Sequence, residues 1–341
     1  MPDPPDAPSP RPLDEDPKVQ VPSDPSEMRP HPDFQGVLDE LAEMSGPALH
    51  EMHPTDARAF ADTFSGKQPA GTPIARVEDL VIPSEACEIP ARLYHPNPET
   101  TLPLVVAFHG GGWMLGNLDS YDAEARMIAA NAEVALLSIE YRLAPEHPFP
   151  AAVEDAIAAM DWASANAQSL GCDPNRLGLT GSSAGGNLAA VCALEARDRG
   201  EPHIRHQLLV YPVLDADFDR PTMHAFAEGL LLEREAMQWF WNHYCPQEED
   251  RAHFRAAPLR ADSFVGLPPT YLALAAMDPL LDEGLDFGVK LMEAGVRTEI
   301  RVAPRMIHGF FGMASMSQTA QEEVKRACKA MKADMQMEPN A

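Results

Sequence analysis

Residues 176–196 read RLGLTGSSAGGNLAAVCALEA, and this stretch decides the fold. Its first five residues are typical of a buried strand, and NLAAVCALEA is typical of a helix. The junction between them, GSSAG at 181–185, fits the pattern G-x-S-x-G. Glycines on both sides permit a sharp turn that exposes the central serine at the top of a sheet, beside the anion-binding start of a helix. The pattern therefore predicts a nucleophile at Ser183, whereas Ser182 lacks glycines at the required spacing.

Outward from this turn, strand-like and helix-like segments alternate along the chain. The predicted strands are 77–82, 89–94, 103–108, 134–140, 176–180, 206–210, 269–275 and 297–302. The predicted helices are 121–131, 150–168, 185–199, 281–294 and about 316–334. Continuously apolar strands that alternate with helices favour a mostly parallel sheet covered on both faces. The predicted fold class is therefore α/β, with a central sheet flanked by helices.

Three segments fall outside this alternation. Residues 1–33 contain eleven prolines and few large aliphatic side chains, which predicts a disordered proline-rich tail. Residues 34–67 carry apolar side chains at helical spacing and predict short amphipathic helices, and 214–257 is a less regular insertion with its own apolar helical run. The remaining residues, 68–213 and 258–341, are predicted to form one α/β catalytic domain.

Charge and cysteine content exclude several classes of partner. Asp and Glu outnumber Lys and Arg by 52 to 26, for a formal net charge of −26. Such a surface repels nucleic acid and anionic membranes, so neither is expected as a partner. The five cysteines are scattered and form no C-x-x-C pair, which favours a reducing cytoplasm and no metal site. The sequence leaves a homodimer open.

A second glycine-rich motif, HGGGW at 109–113, directly follows the buried strand PLVVAF. Three adjacent glycines cost backbone entropy, and they are useful where the backbone must closely approach a ligand. Acyl transfer needs preorganised N–H donors where negative charge develops on the substrate, so the motif suits an oxyanion hole. The alternative is a phosphate-binding loop, but neither the Lys-Ser/Thr pair nor the G-x-G-x-x-G spacing of such loops is present.

A nucleophilic serine requires a base, and the base requires a carboxylate that orients it. Asp278 follows the predicted strand PTYLALA, and His308 lies in the loop after the strand at 297–302. Both are expected at the carboxyl ends of strands, on the same edge of the sheet as Ser183. Asp282 and Glu283 compete for the acid role, but they fall at a helix start where carboxylates commonly interact with the helix dipole.

These motifs together resemble the bacterial hormone-sensitive lipase family of carboxylesterases. The matching segments are HGGGW (109–113), YRLAPE (141–146), GSSAGG (181–186), DPLLDE (278–283) and HGF (308–310). The resemblance implies an α/β-hydrolase fold with Ser183, Asp278 and His308 as nucleophile, acid and base. It also implies that Gly111, Gly112 and Ala184 form the oxyanion hole.

The resemblance extends to segments outside these motifs. It implies that 34–67 and 214–257 form a helical cap over the site, and that Arg142 and Glu146 have structural roles. One departure is Ser182, at a position where the family usually has Asp or Thr.

The predicted function is a serine carboxylesterase that hydrolyses small, short-acyl-chain esters through an acyl-enzyme intermediate. Its expected partner is a small-molecule ester, and no cofactor and no metal ion are expected. Two alternatives stay open from the sequence. One is a related hydrolase that acts on amides, lactones or acetylated sugars, and the other is a ligand-binding receptor that keeps the fold without turnover.

Overall fold

A mostly parallel sheet lies at the centre of the chain. The structure, a computed structural model, describes residues 28–43, 46–65 and 71–337. The strands in chain order are β1 (Arg76–Pro83), β2 (Glu88–His95), β3 (Leu102–Phe108), β4 (Ala135–Ile139), β5 (Cys172–Ser182), β6 (Ile204–Val210), β7 (Thr270–Met277) and β8 (Thr298–Ile307). The α-helices are α1 (Pro32–Glu43), α2 (Pro54–Ser65), α3 (Leu118–Ala132), α4 (Ala151–Asn166), α5 (Ala184–Arg199), α6 (Pro221–Ala225), α7 (Arg234–Tyr244), α8 (Leu281–Glu293) and α9 (Gln318–Gln336).

The strand order is β1-β2-β4-β3-β5-β6-β7-β8. Strand β2 is antiparallel to both β1 and β4, and all other neighbours are parallel. Every residue of β4 and β7 is buried, as expected for strands that are covered by helices on both faces. The predicted α/β class with a mostly parallel central sheet is confirmed. Among the described residues, no helix is both long enough and apolar enough to cross a membrane.

The turn from β5 to α5 depends on the close approach of neighbouring backbone. A Cβ added at Gly185 would collide with the carbonyl group of Phe108 at the end of β3, and one at Gly181 would collide with Gly185 itself. Glycine at both positions therefore lets the first turn of α5 pack directly on the ends of β3 and β5. This packing brings the residue between them, Ser183, to the carboxyl-terminal edge of the sheet.

The end of the predicted tail, residues 28–33, contacts strand β8. Residues 28–33 belong to the described structure: α1 begins at Pro32, and the backbone N–H of His31 donates to the Arg305 carbonyl at 2.8 Å. The Arg305 side chain donates in turn to the carbonyls of Arg29 (3.0 Å) and Pro30 (2.9 Å). The rest of the predicted tail, 1–27, lies outside the described residues, as do 44, 45, 66 and 67 of the predicted helical segment.

The helical segments predicted at 34–67 and 214–257 contact each other and the sheet edge. His50, in the link between α1 and α2, lies 2.9 Å from the carboxylate of Glu235 on α7. Arg58 on α2 donates to the carbonyls of Met114 (2.8 Å) and Ala144 (2.7 Å). It also pairs with Glu146 at 2.8 Å, and this bond holds the pKa of the Glu146 carboxyl low, at about 2. Arg58 therefore fixes α2 to the loops beside the HGGGW and YRLAPE motifs.

Candidate active site

The structure brings the three predicted catalytic residues together at the carboxyl-terminal edge of the sheet. Nε2 of His308 lies 3.0 Å from Oγ of Ser183, and Nδ1 of the same ring lies 2.8 Å from Oδ2 of Asp278. Ser183 follows β5, Asp278 follows β7 and His308 follows β8, so parallel strands carry all three to one edge. Serine, imidazole and carboxylate are thus connected by two hydrogen bonds, as an activated nucleophile requires.

Ser183 has an unusual backbone conformation, with φ 56° and ψ −119°. A non-glycine residue outside the common regions costs on the order of 1–3 kcal/mol, and the surrounding contacts must hold it there. Its N–H donates to the Val210 carbonyl at 2.9 Å, and its carbonyl accepts from Asn187 and Val213, each at 3.1 Å. These bonds to α5 and to the end of β6 fix the turn and direct Oγ toward His308.

The predicted oxyanion hole consists of the N–H groups of Gly111, Gly112 and Ala184, and the neighbouring Gly110 lies close to Ser183, since a Cβ added there would be 3.5 Å from the Ser183 Cβ. Gly111 and Gly112 have φ values of +113° and +59°, conformations that favour glycine. In the described part of the chain, neither of their N–H groups has a hydrogen-bond acceptor. Ala184 is the first residue of α5, where the N–H has no partner within the helix. Within the described residues, these backbone N–H groups therefore remain available as donors, as the predicted oxyanion hole requires.

The competing carboxylates have other partners. Asp282 Oδ2 accepts from the Thr222 N–H at 2.9 Å, and Glu283 Oε1 accepts from the Leu214 N–H at 2.6 Å. Both bonds join α8 to the 214–257 segment, rather than serving only the start of their own helix as the sequence suggested. Burial also raises the pKa of the Glu283 carboxyl well above its ordinary value, although the Leu214 N–H opposes this shift. The geometry thus favours Asp278 as the partner of His308.

Arg142 and Glu146 of the YRLAPE motif have structural contacts, as predicted. Arg142 forms hydrogen bonds of 2.8–3.0 Å with the buried carboxylate of Asp155 on α4, and Glu146 pairs with Arg58. The first residue of this motif, Tyr141, donates its hydroxyl to the His109 carbonyl at 2.7 Å and stacks on the His109 imidazole. The motif therefore supports the loop that carries the glycine triplet.

Two aromatic residues of the site were not predicted from the sequence. The Tyr211 ring lies 4.5 Å from the His308 ring, measured between centroids, and the Phe240 ring packs directly on Gly112. Tyr211 immediately follows β6, and the rule that sites form at strand carboxyl ends would have identified it. Phe240 belongs to the 214–257 segment, and its apolar helical spacing gave no indication of which loop it contacts.

No cluster of three or more His, Cys, Asp or Glu side chains within the described ranges has the arrangement of a metal site. The chemistry available at this edge comes from the hydroxyl, the imidazole, the carboxylate and the backbone donors. A serine paired with a base and bordered by free N–H groups can attack a carbonyl carbon and stabilise the resulting oxyanion.

Similarity to known proteins agrees with this geometry. A family model described as alpha/beta hydrolase fold matches residues 105–312, more than half of the chain. The chain belongs to the α/β-hydrolase family. The matching family model covers the hormone-sensitive-lipase-like group that the sequence motifs resembled. The predicted family and fold are therefore confirmed.

Several named relatives of this chain are esterases. The chain is 44% identical over 243 residues to the carboxylic ester hydrolase LipN of Mycobacterium tuberculosis, an alignment that covers 70% of this chain and 65% of LipN. It is 40% identical over 266 residues to the carboxylesterase NlhH of the same organism, covering 76% and 83% of the two chains. A crystal structure of a thermostable esterase from Pseudomonas putida superposes with a TM-score of 0.88 at 32% identity, covering 91% of this chain and 99% of that one. The predicted enzyme class, a carboxylic ester hydrolase, is confirmed.

Proposed function

We propose that this chain is a serine carboxylesterase that hydrolyses small esters with short acyl chains through an acyl-enzyme intermediate. The observation that carries the proposal is the hydrogen-bond chain from Asp278 through His308 to Ser183, with lengths of 2.8 and 3.0 Å. In this mechanism Ser183 attacks the ester carbonyl while His308 accepts its proton, and Asp278 stabilises the imidazolium. His308 then donates the proton to the departing alcohol, and water repeats the attack on the acyl-enzyme.

The proposed oxyanion hole consists of the N–H groups of Gly111, Gly112 and Ala184. These donors would stabilise the tetrahedral intermediate, and removing a single donor from an oxyanion hole costs about 2.7–4 kcal/mol in a serine hydrolase of another fold. The resemblance to carboxylesterases and the absence of hydrogen-bond acceptors in the described chain at Gly111 and Gly112 support this assignment.

We propose that residues 34–67 and 214–257 together form a cap over the site. Phe240 of the second segment packs on Gly112, and Leu231 approaches Gly309, the residue after the proposed base. An aromatic ring against the glycine triplet limits the space beside the reacting carbonyl, which favours small substrates.

We propose a cytoplasmic location. All five cysteines are free thiols, which agrees with a reducing compartment.

The decisive experiment compares two neighbouring serines. Ser183→Ala should lower the kcat/KM for a short-chain ester by at least about a thousandfold, because it removes the nucleophile. Ser182→Ala is the matched control and should retain most activity at neutral pH, since Ser182 Oγ is not the group that His308 contacts. Equal loss in both variants would contradict the assignment.

The covalent step is tested by labelling. An organophosphonate should inactivate the purified protein with one adduct per chain, and peptide mass mapping should place that adduct on Ser183. An adduct on a different residue would refute the mechanism. Hydrolysis of acetate, butyrate and decanoate esters by the same preparation should show the preference for short acyl chains.

A further inference from the structure

A buried carboxyl group lies beside the proposed triad and has no role in the mechanism above. Glu124, on α3, is 6% exposed, and its Oε1 has no hydrogen-bond partner among the described residues. Leaving a buried polar atom without a partner is costly, and native proteins contain few such atoms. The position of Glu124 therefore requires an explanation.

Glu124 lies between the segment that carries the nucleophile and the segment that carries the base. The hydroxyl of Ser182, the residue before Ser183, acts directly on the Glu124 carboxyl. On the other side, the backbone of Gly312, four residues after His308, comes so close that an added Cβ would lie 3.4 Å from Glu124 Oε2. The carboxyl thus lies between the loop of the nucleophile and the loop of the base, which must align for proton transfer.

The groups that interact with Glu124 come from α3 itself and from other elements. The hydroxyls of Tyr121, one turn earlier on α3, and of Ser182, at the end of β5, both act on its carboxyl. Burial, together with a charge on Glu124, raises the pKa of Tyr211 after β6 and of Cys328 on α9. Asp278 also contributes to the raised pKa of Tyr211. Within the described residues, no basic side chain lowers the pKa of the Glu124 carboxyl.

This environment favours the neutral acid. Burial raises the pKa of Glu124 to about 8, and the hydroxyls of Tyr121 and Ser182 partly oppose the shift. Below that pH the group is a protonated carboxyl that can donate one hydrogen bond. Above it, the site holds an uncompensated negative charge in a pocket of aromatic rings and hydroxyls.

We propose that Glu124 is a positioning residue, whose neutral carboxyl group holds the Ser183 turn and the His308 loop in alignment and whose ionisation disturbs both. The inference rests on the proposed acyl transfer at Ser183. When the proton leaves to solvent, the carboxylate attracts hydroxyl groups and water, so that Ser182 and Gly312 must shift. A displacement of about 1 Å in a catalytic arrangement can cost on the order of a hundredfold in rate.

The expected signature is a decrease in kcat/KM on the alkaline side of the pH profile. Wild-type protein should lose roughly threefold or more between about pH 8 and pH 10. Glu124→Gln keeps the shape of the neutral acid and cannot ionise, so its kcat/KM should stay within about twofold over that range. Tyr121→Phe removes a hydroxyl that favours the ionised form, and it should move the decrease to higher pH.

A second readout does not depend on turnover. The folded-state pKa of about 8 lies above the ordinary value of 4.5, so the folded chain binds more protons than the unfolded chain between these values. The contribution of Glu124 to the free energy of unfolding is therefore fully present below pH 4.5 and is lost as pH rises through about 8. The Tm of wild-type protein should fall relative to Glu124→Gln as pH rises from about 5 to about 9.

The matched control is Glu323→Gln. Glu323 is also a buried glutamate, 8% exposed, but it pairs with Arg301 at 2.6 and 2.8 Å. This variant should leave the alkaline decrease in kcat/KM unchanged. An alkaline decrease that is identical in wild type and Glu124→Gln, or a Tm difference between them that does not change with pH, would overturn the proposal. Absence of hydrolysis and of phosphonate labelling at every pH would instead overturn the proposed function, and the Tm comparison would still test Glu124.

Discussion

Gly112 and Phe240 are joined by a contact that explains why the last glycine of the HGGGW motif must be glycine. Gly112 has φ +59°, and a Cβ at this position would collide with the Phe240 ring. A side chain would therefore meet two separate penalties, a strained backbone conformation and a steric clash. The backbone strain belongs to Gly112 alone, whereas the steric clash depends on the Phe240 ring.

We expect these two penalties to separate in a double-mutant cycle. Gly112→Ala should lower the free energy of unfolding by more in the wild-type background than in a Phe240→Ala background, with a coupling of about 1–3 kcal/mol. Gly295→Ala measures the backbone strain alone, because Gly295 has φ +76° and no atom of the described residues lies within 4 Å of an added Cβ. Urea unfolding of the four variants (Gly112→Ala, Phe240→Ala, the double mutant and Gly295→Ala) and of the wild type measures each difference. Equal effects of Gly112→Ala in the two backgrounds would show that Phe240 does not restrict this position.

The sequence indicated the triad but not its surroundings, and there is a physical reason for the difference. Ser183 sits in a short motif whose glycines meet a local geometric need, so its position is encoded by its immediate neighbours. Asp278 and His308 follow apolar strands, which placed them at one edge of the sheet. Glu124 and Phe240 lie within helices, and only tertiary packing decides which side of a helix meets the site.

At the scale of elements, β8 extends beyond its predicted end. The apolar pattern predicted a strand that ends at 302, and the observed strand continues to Ile307 after a register shift opposite β7. Arg305, in this extension, has φ 61° and binds the N-terminal segment at Arg29, Pro30 and His31. A polar residue in an irregular strand gives no periodic signal, so neither the extension nor its partner could be predicted from the pattern.

The contact with Arg305 predicts different results for two truncations. A chain that starts at Met28 keeps all three hydrogen bonds to Arg305, and it should unfold at the same temperature as the full chain. A chain that starts at Phe34 loses them, which should lower the free energy of unfolding by about 1–3 kcal/mol at roughly 1 kcal/mol per bond. Hydrolysis should decrease as well, since Arg305 is three residues before His308.

Arg305→Ala in the chain that starts at Met28 is the matched control. It removes the two side-chain bonds and should lower Tm by part of the effect of the longer truncation. In the chain that starts at Phe34 the same substitution should have little further effect, because its partners are already gone. Additive losses in the two chains would mean that Arg305 stabilises β8 independently of the N-terminal segment.

For the molecule as a whole, net charge has two opposing consequences for stability. A formal charge of −26 on 341 residues produces repulsion between like charges in the folded state. Many arginines are paired with surface carboxylates, such as Arg199 with Asp161 at 2.8 Å, and these pairs are attractive. Salt screens both effects, so the sign of the response shows which one dominates.

We expect repulsion to dominate, because carboxylates outnumber basic side chains 52 to 26 and one-to-one pairing leaves at least half of them without a partner. Exposed ion pairs are also individually worth only about 0–1 kcal/mol. Raising sodium chloride from about 10 mM to about 200 mM shortens the screening length from roughly 30 Å to below 10 Å, and Tm should rise over this interval. Choline chloride at equal ionic strength should give the same rise, because screening depends on charge rather than on the identity of the cation. A Tm that falls in both salts would mean that the ion pairs contribute more than the repulsion, whereas a rise with sodium alone would indicate specific cation binding to the acidic surface.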